Sequence, residues 1–360
     1  MKDTDFFNRD IIGVVKGIAL ILMFIHHFFT FPSWWVEGVS YPELEVLAPY
    51  FCGPTKICVS IFCFITGYFY FFNKNQTYKY ATRKISDLLI SYWLVFLICA
   101  IPAAVWLSYP YSIKNIIMEA MVLTYPTMIF CWYVEFYIAF MLVLPLIKKF
   151  LWRKLYIDIL LSLFLIPIVL VYILKYLSYP FYDPFLYLAQ WFPMVLWGSI
   201  FARYNLFSEL SRIHREIVRN KGLDVALTVF VILLAPMGRW FAPNLTLKLI
   251  TGYELAISMD ILYVPVFIYA IVHFFRVVDS EVLNKIIGQV GKYSMLMWFF
   301  SCLFFGNSKA IFQPILYWPH NPFLVLLWGL LMCYGLSYLL QPVIRHLVLW
   351  KNNLLFQKKR

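Results

Sequence analysis

The sequence predicts an all-α, polytopic membrane bundle of about ten transmembrane helices, both termini cytoplasmic, forming one integral membrane domain over residues 1–360. Composition is the first observation behind this. Of the 360 residues, 63% are hydrophobic and only 13% charged, whereas soluble domains are about 25% charged. The second is ten apolar runs, near residues 11–29, 57–72, 88–107, 131–147, 155–174, 188–202, 223–238, 256–275, 290–306 and 323–349. A helical span needs about 20 such residues. The third is charge placement. Lys74, Lys79, Arg83 and Lys84 follow the second run, and Lys148, Lys149, Arg153 and Lys154 the fourth. Arg203, Arg212, Arg215, Arg219 and Lys221 follow the sixth, Arg276, Lys285 and Lys292 the eighth, and Lys358, Lys359 and Arg360 end the chain. Every second connection is basic, which orients the bundle by the positive-inside rule. The net charge of +12 therefore reads as topology and contact with anionic lipid, and no nucleic-acid partner is expected.

The first run, IIGVVKGIALILMFIHHFF, carries Lys16, His26 and His27. An ionisable side chain inside a span is costly and calls for a reason. At about 100° per residue, Lys16 and His27 fall within about 20° of each other, three turns apart, while His26 points about 80° away. One face thus holds a fixed cation and a titratable imidazole. The alternative is a lysine snorkelling to the headgroups and a histidine pair lining a polar seam. The residues before this span, MKDTDFFNRD, are not strongly basic, and FTFPSWW after it offers no small-residue cleavage site, so no cleavable signal is expected. The aromatic, acidic loop after it either covers a site or caps the interface.

The second run contains Thr66-Gly67, a small pair that lets another backbone approach. Beyond it, Arg83 and Lys84 would form with Lys16 an inward-facing anion site for cofactor phosphates, or else are ordinary positive-inside charge. Ile116–Phe130, broken by Glu119 and Pro126, reads as a re-entrant or interfacial piece, with an extra crossing as the alternative. The fourth run holds Glu135, an intramembrane carboxylate able to orient or protonate an imidazole. Glu119, Asp158, Asp224 and Asp260 also lie in or near spans, so no single carboxylate can be assigned to the histidine. His273 falls near the inner end of the eighth run and reads as interfacial. Of seven cysteines, six lie in apolar runs and read as small buried hydrophobes without a disulfide framework. No P-loop, dinucleotide fingerprint, nucleophile elbow or metal-ligand cluster stands in the sequence, and no metal is expected.

KGIALILMFIHH resembles the first-span signature of the acyltransferase 3 family of integral membrane acyltransferases. There a basic residue, usually Arg, precedes a small residue and is followed after ten spacers by His. Those positions are Lys16 and His27 here. VSIFCFITGYF is similar to the family's second-span pattern, and Arg83 falls where the family places an Arg-rich turn. CWYVEFYIAFMLVLP resembles its Trp-Phe/Tyr stretch ending in Pro, and GKYSMLMWFF its late Gly-Lys-x-Ser signature. The departures are Lys16 for Arg, Ser86 for the second Arg of Arg-x-x-Arg, and Ser301 where His often stands.

The resemblance implies transfer of an acyl group, most often acetyl from acetyl-CoA, to a hydroxyl of a cell-surface polysaccharide or lipid-linked glycan precursor. His27 would be the general base, Lys16 would hold donor phosphate or steady developing charge, and Arg83 with Lys84 would anchor CoA; Glu135 is the candidate partner of the imidazole. The expected location is a plasma membrane, that of a bacterial cell. Many members carry an extracytoplasmic hydrolase-like domain, for which residues 1–360 leave no room, so the expectation is action alone or with a separate extracytoplasmic or glycan-synthesis partner. Two rival readings stand beside this. One is an exporter or flippase of glycan or lipid-linked sugar. The other is a membrane sensor with a degenerate acyl site.

Overall fold

The computed structural model describes residues 6–7, 9–72, 77–109, 112–147, 153–178, 182–242, 244–248 and 254–356. Lys74, Lys148, Lys149, Lys358, Lys359 and Arg360 lie outside them. The described chain is helical, apart from one antiparallel strand pair that pairs Asn244 with Ser258 and Lys248 with Glu254. In chain order the helices are α1 (Arg9–Phe29), α2 (Pro42–Phe51), α3 (Ile57–Phe72), α4 (Tyr78–Val95), α5 (Ile101–Trp106), α6 (Ile113–Ala120), α7 (Trp132–Ile147) and α8 (Leu155–Leu160). They continue as α9 (Ile166–Leu174), α10 (Tyr182–Arg203), α11 (Leu206–Ile217), α12 (Lys221–Phe241), α13 (Asp260–Val278), α14 (Glu281–Cys302), α15 (Lys309–Tyr317) and α16 (Pro322–Phe356).

The ten apolar runs fall mainly on helix, although the eighth begins on the second strand, before α13, and the ninth runs past the end of α14; eight stretches are long and apolar enough to cross a membrane. The protein is a multi-pass membrane protein. Two of the ten runs fall short for different reasons. Helix α7 has 16 residues, about 24 Å at 1.5 Å per residue, against a hydrocarbon core of about 30 Å. Helix α14 has the length, 22 residues, but carries Glu281, Lys285 and Lys292. Two spans are built from paired segments. α4 joins α5 through a widened π-turn at Phe96–Ala100, and α8 joins α9 through another at Leu161–Leu165. Each is followed within two residues by a proline, Pro102 or Pro167. Proline lacks the N–H that would continue the ladder, and a wider turn absorbs the gap.

The chain divides into two compact units. The first comprises residues 1–30, 46–74 and 147–292. Its densest packing joins α3 and α10. A Cβ at Gly67 would overlap the Val195 carbonyl, and one at Gly198 would overlap that of Phe64. Ser199 Oγ donates to Gly67 O at 2.8 Å. The close approach expected at Thr66-Gly67 is this contact, in which the absent side chain lets dispersion act along two backbones. An aromatic cluster closes one end: Phe6 stacks on Phe207 with centroids 4.3 Å apart, and Phe64, Tyr68 and Phe201 surround Phe207.

The second unit comprises residues 31–45, 75–146 and 293–360. Here the segment read as re-entrant holds only the eight-residue helix α6, followed by turns. Eight helical residues span about 12 Å, well short of a hydrocarbon core of about 30 Å, so α6 by itself does not make a crossing. Glu119 organises the turns: its carboxylate accepts from Thr127 N–H at 2.9 Å, Thr127 Oγ1–H at 3.0 Å and Met128 N–H at 3.2 Å. Burial pushes this carboxyl up to about 7, against the opposing pull of those three donors. Buried Gln313 spans the backbone of the loop after the first span, accepting from Val36 N–H and donating to Trp34 O. None of the seven cysteines forms a disulfide.

Candidate active site

Helix α1 starts at Arg9 and runs without interruption to Phe29. Its two polar stations therefore lie eleven residues apart, about 16 Å along the axis. Lys16 and His27 share a face but do not touch.

Around Lys16, small residues bring a second helix onto α1. A Cβ at Gly291 would overlap the Gly13 carbonyl, one at Gly17 would overlap that of Ile287, and one at Gly13 would come within 3.1 Å of Gly288 O. Beside this contact opens a cleft of ≈ 870 Å³, within the first unit. Lys16, Arg276, Lys285 and Lys292 line it, with Asp10, Asp279 and Glu281 as the acidic members. A cleft of this size is on the scale of small-molecule and cofactor sites, about 300–1,000 Å³. Four cations against three carboxylates favour an anionic ligand.

At the far end of α1 both histidines are buried. His26 Nδ1 lies 3.3 Å from Cys52 O and 3.1 Å from Thr30 Oγ1, which ties it to the backbone that precedes α3. The rings of His26 and His27 are 5.8 Å apart. In the same unit, buried Asp260 at the start of α13 receives Arg239 Nε at 3.1 Å and a hydrogen bond from Ser60 Oγ. An ionic pair thus stands inside the helical bundle, where low dielectric strengthens it and desolvation opposes it.

Of the other residues singled out in the sequence, Asp158, Asp224 and His273 belong to the first unit, whereas Arg83, Lys84, Glu119 and Glu135 belong to the second. Glu135 is buried in the first turn of α7. Arg83 and Lys84 are exposed on α4 and are not among the residues lining the cleft. Lys84 Nζ stands 5.8 Å from the Tyr80 ring centroid. The Arg83 carbonyl accepts from Ser86 Oγ–H at 2.9 Å and from Lys351 Nζ, which also pairs with Asp87. A lysine from α16 therefore meets Ser86, where a second arginine was expected.

Of the predicted donor-site residues, Lys16 alone lines the cleft. Arg276 and Lys285 were legible only as positive-inside charge, whereas Lys292 also stands in the GKYSMLMWFF stretch noted for its Gly-Lys-x-Ser pattern. The signal that could have found Lys292 was its place beside Gly291, a glycine whose neighbour in space is the α1 backbone.

A sequence model of the acyltransferase 3 family, described as an acyltransferase domain, matches residues 9–348, nearly the whole chain. Neither the comparison with curated proteins nor that with solved structures gives a match.

Proposed function

The chain belongs to the acyltransferase 3 family, a membrane acyltransferase, and we propose that it moves an acetyl or other acyl group from acyl-CoA to a hydroxyl of a surface polysaccharide or lipid-linked glycan. The observation that carries this reading is the cationic cleft built on Lys16 and Lys292, in the same unit as His27 and on the same helix. CoA carries its phosphates on the nucleotide end and its reactive thioester at the tip of a long flexible arm. The separation of about 16 Å between Lys16 and His27 suits such a donor better than a compact one. The cations would hold the phosphates, and the arm would run along α1 toward the histidine.

In the step that follows, neutral His27 takes the proton of the acceptor hydroxyl, whose oxygen attacks the thioester carbonyl. The new C–O bond forms as the C–S bond breaks, and the CoA thiolate leaves and takes up the proton. Transfer to an intermediate carrier would use the same chemistry. The basic connections favour a plasma membrane topology of ten crossings with cytoplasmic termini and a cytoplasmic mouth for the cleft, where CoA is available. A separate partner for glycan synthesis or extracytoplasmic transfer fits this arrangement.

The test is acetyl-CoA binding and acyl transfer by the full chain in lipid nanodiscs. Wild type should bind the donor and release free CoA when acceptor is present. Lys16→Ala combined with Lys292→Ala should weaken donor binding by at least about 10-fold, as expected for lost charge-assisted contacts. Undiminished donor affinity in the double variant would remove the cleft from the reading.

A further inference from the structure

Three side chains that the proposed transfer does not use converge elsewhere in the first unit. His214 comes from α11, Asp224 from the first turn of α12 and His273 from α13. Asp224 Oδ1 lies 3.0 Å from His214 Nε2 and 2.8 Å from His273 Nε2, and Oδ2 lies 3.0 Å from the latter. One donor atom from each residue falls within 4.8 Å of the others. Ligands at about 2.0–2.1 Å in a tetrahedron stand about 3.3 Å apart, so opening the two Asp224–histidine contacts by a few tenths of an ångström would make room for one ion among the three donors.

Ordinary ion pairing leaves something unexplained. His214 Nε2 is shielded from solvent and makes no hydrogen bond, although Asp224 Oδ1 stands 3.0 Å away. A buried polar atom without a hydrogen bond costs about 1–3 kcal/mol. The opposite ring nitrogen, Nδ1, shares a hydrogen bond with Tyr269 OH at 2.9 Å. When Nδ1 carries the proton and donates it to the tyrosine, the Nε2 lone pair faces Asp224 and His273. Metal-bound histidines are held in this way by an outer partner. The Tyr269 ring also stacks on His273, at 5.9 Å and 8°, which fixes the second imidazole. The nearest cation on the same helix, Arg276, is engaged elsewhere: it donates to Phe6 O at 2.6 Å and lies over the Phe6 ring.

We propose that His214, Asp224 and His273 form a binding site for a divalent transition ion of the Zn²⁺ class, with Tyr269 as outer partner. Two imidazoles and one carboxylate are the donor set such an ion prefers, and a fourth position remains for water. The ion would pin α11 to α12 and α13 and so fix the basic connection that follows α10. The proposal does not depend on the acyltransferase reading.

The experiment uses the full chain in detergent, free of a polyhistidine tag and treated with EDTA. Zn²⁺ is titrated by calorimetry and Co²⁺ by visible absorption. Wild type is expected to bind one ion and to show the d–d bands of nitrogen- and oxygen-ligated cobalt. His273→Ala and Asp224→Asn should abolish stoichiometric binding, and Tyr269→Phe should weaken it by roughly 10-fold, as outer-shell losses do. Monodispersity on gel filtration checks folding. His273→Cys, which restores a ligand of another element, should recover binding and shift the cobalt bands. Absence of binding at micromolar Zn²⁺ in wild type would overturn the proposal. So would undiminished binding in His273→Ala, which would place the ion elsewhere.

Discussion

Gly291 of α14 lies against the carbonyl of Gly13 in α1, so close that a methyl group at position 291 would overlap the oxygen. The obstacle is backbone, which cannot swing aside as a side-chain tip can. Gly291→Ala should therefore spread the two helices, destabilise the protein by about 1–3 kcal/mol and weaken acetyl-CoA binding, since Lys16 and Lys292 line the cleft beside this contact. Gly335→Ala is the control. Nothing lies within 4 Å of that position in α16, and a helical Gly→Ala change there should be neutral or stabilising by up to about 1 kcal/mol. Thermal unfolding in detergent, paired with donor titration, checks both. Equal behaviour of the two variants would sever the glycine contact from the cleft.

A second prediction separates the cleft from the loop cations. Lys292→Ala should raise the KM for acetyl-CoA while leaving kcat nearly unchanged, because a phosphate contact acts in ground and transition states alike. Lys16→Arg should be tolerated, since charge is kept and the guanidinium can meet a phosphate with a bidentate fork. Arg83→Ala should have the smaller effect on KM, because Arg83 is not among the residues lining the cleft. Steady-state kinetics decide it. A KM that rises more for Arg83→Ala than for Lys292→Ala would return the donor phosphates to the α4 connection.

Periodic and local features of this protein were legible in its sequence. Apolar runs gave the positions of the helices, and the Lys16-to-His27 spacing placed a cation and an imidazole on one helical face because a continuous helix has a single period. Gly67 signalled a close contact correctly, since only a missing side chain permits it. What could not be read was the meeting of distant segments. His214, Asp224 and His273 sit on three helices and are interleaved with apolar residues, so no spacing announces them. The cationic cleft was hidden because Arg276, Lys285 and Lys292 look the same whether they orient a span or line a site. The strand pair between α12 and α13 does alternate, as NLTLK and ELAIS, but each strand is only five residues long and the second merges into the apolar run that continues as α13. The span count illustrates another limit: α7 and α14 show the pattern of buried helices, but α7 is short and α14 bears charge.

The third prediction concerns pH. Glu119 is buried, and its carboxyl is pushed up to about 7 from an ordinary value of 4.5. An acid raised on folding favours the protonated folded state. Below about pH 4.5 this group imposes no penalty. Between about 4.5 and 7 the penalty grows, and above 7 it is complete, on the order of 3 kcal/mol at about 1.36 kcal/mol per pKa unit. Glu119→Gln removes the titration but keeps an acceptor for the Thr127 and Met128 N–H groups. Its melting midpoint should therefore gain on wild type as pH rises from 5 to 8. A difference between the two proteins that stays constant over that range would show that Glu119 does not titrate there.

The last prediction concerns the adjacent histidines of α1, which differ in what they touch. His26 contacts the Cys52 carbonyl and Thr30 through Nδ1, a structural tie between the end of α1 and the approach to α3. His27 lies on the Lys16 face of the helix, along which the proposed donor arm would run, and a base that faced away could not meet an acyl group anchored at the cleft. His27→Ala should lower acyl transfer by about 10²–10⁴-fold, the usual cost of losing a general base, while the protein still inserts, accumulates and binds acetyl-CoA. His26→Ala should retain much of the turnover and instead lose about 0.5–1.5 kcal/mol of stability, the net worth of one hydrogen bond, because the Cys52 carbonyl keeps the Thr55 hydroxyl and N–H as donors. The measurements are acyl content of surface glycan in cells expressing each variant at matched levels, and thermal unfolding of the purified proteins. A dead His26→Ala beside a near-normal His27→Ala would reassign the base to His26. Full activity in both would remove the histidine mechanism and move the exporter and sensor readings ahead of it.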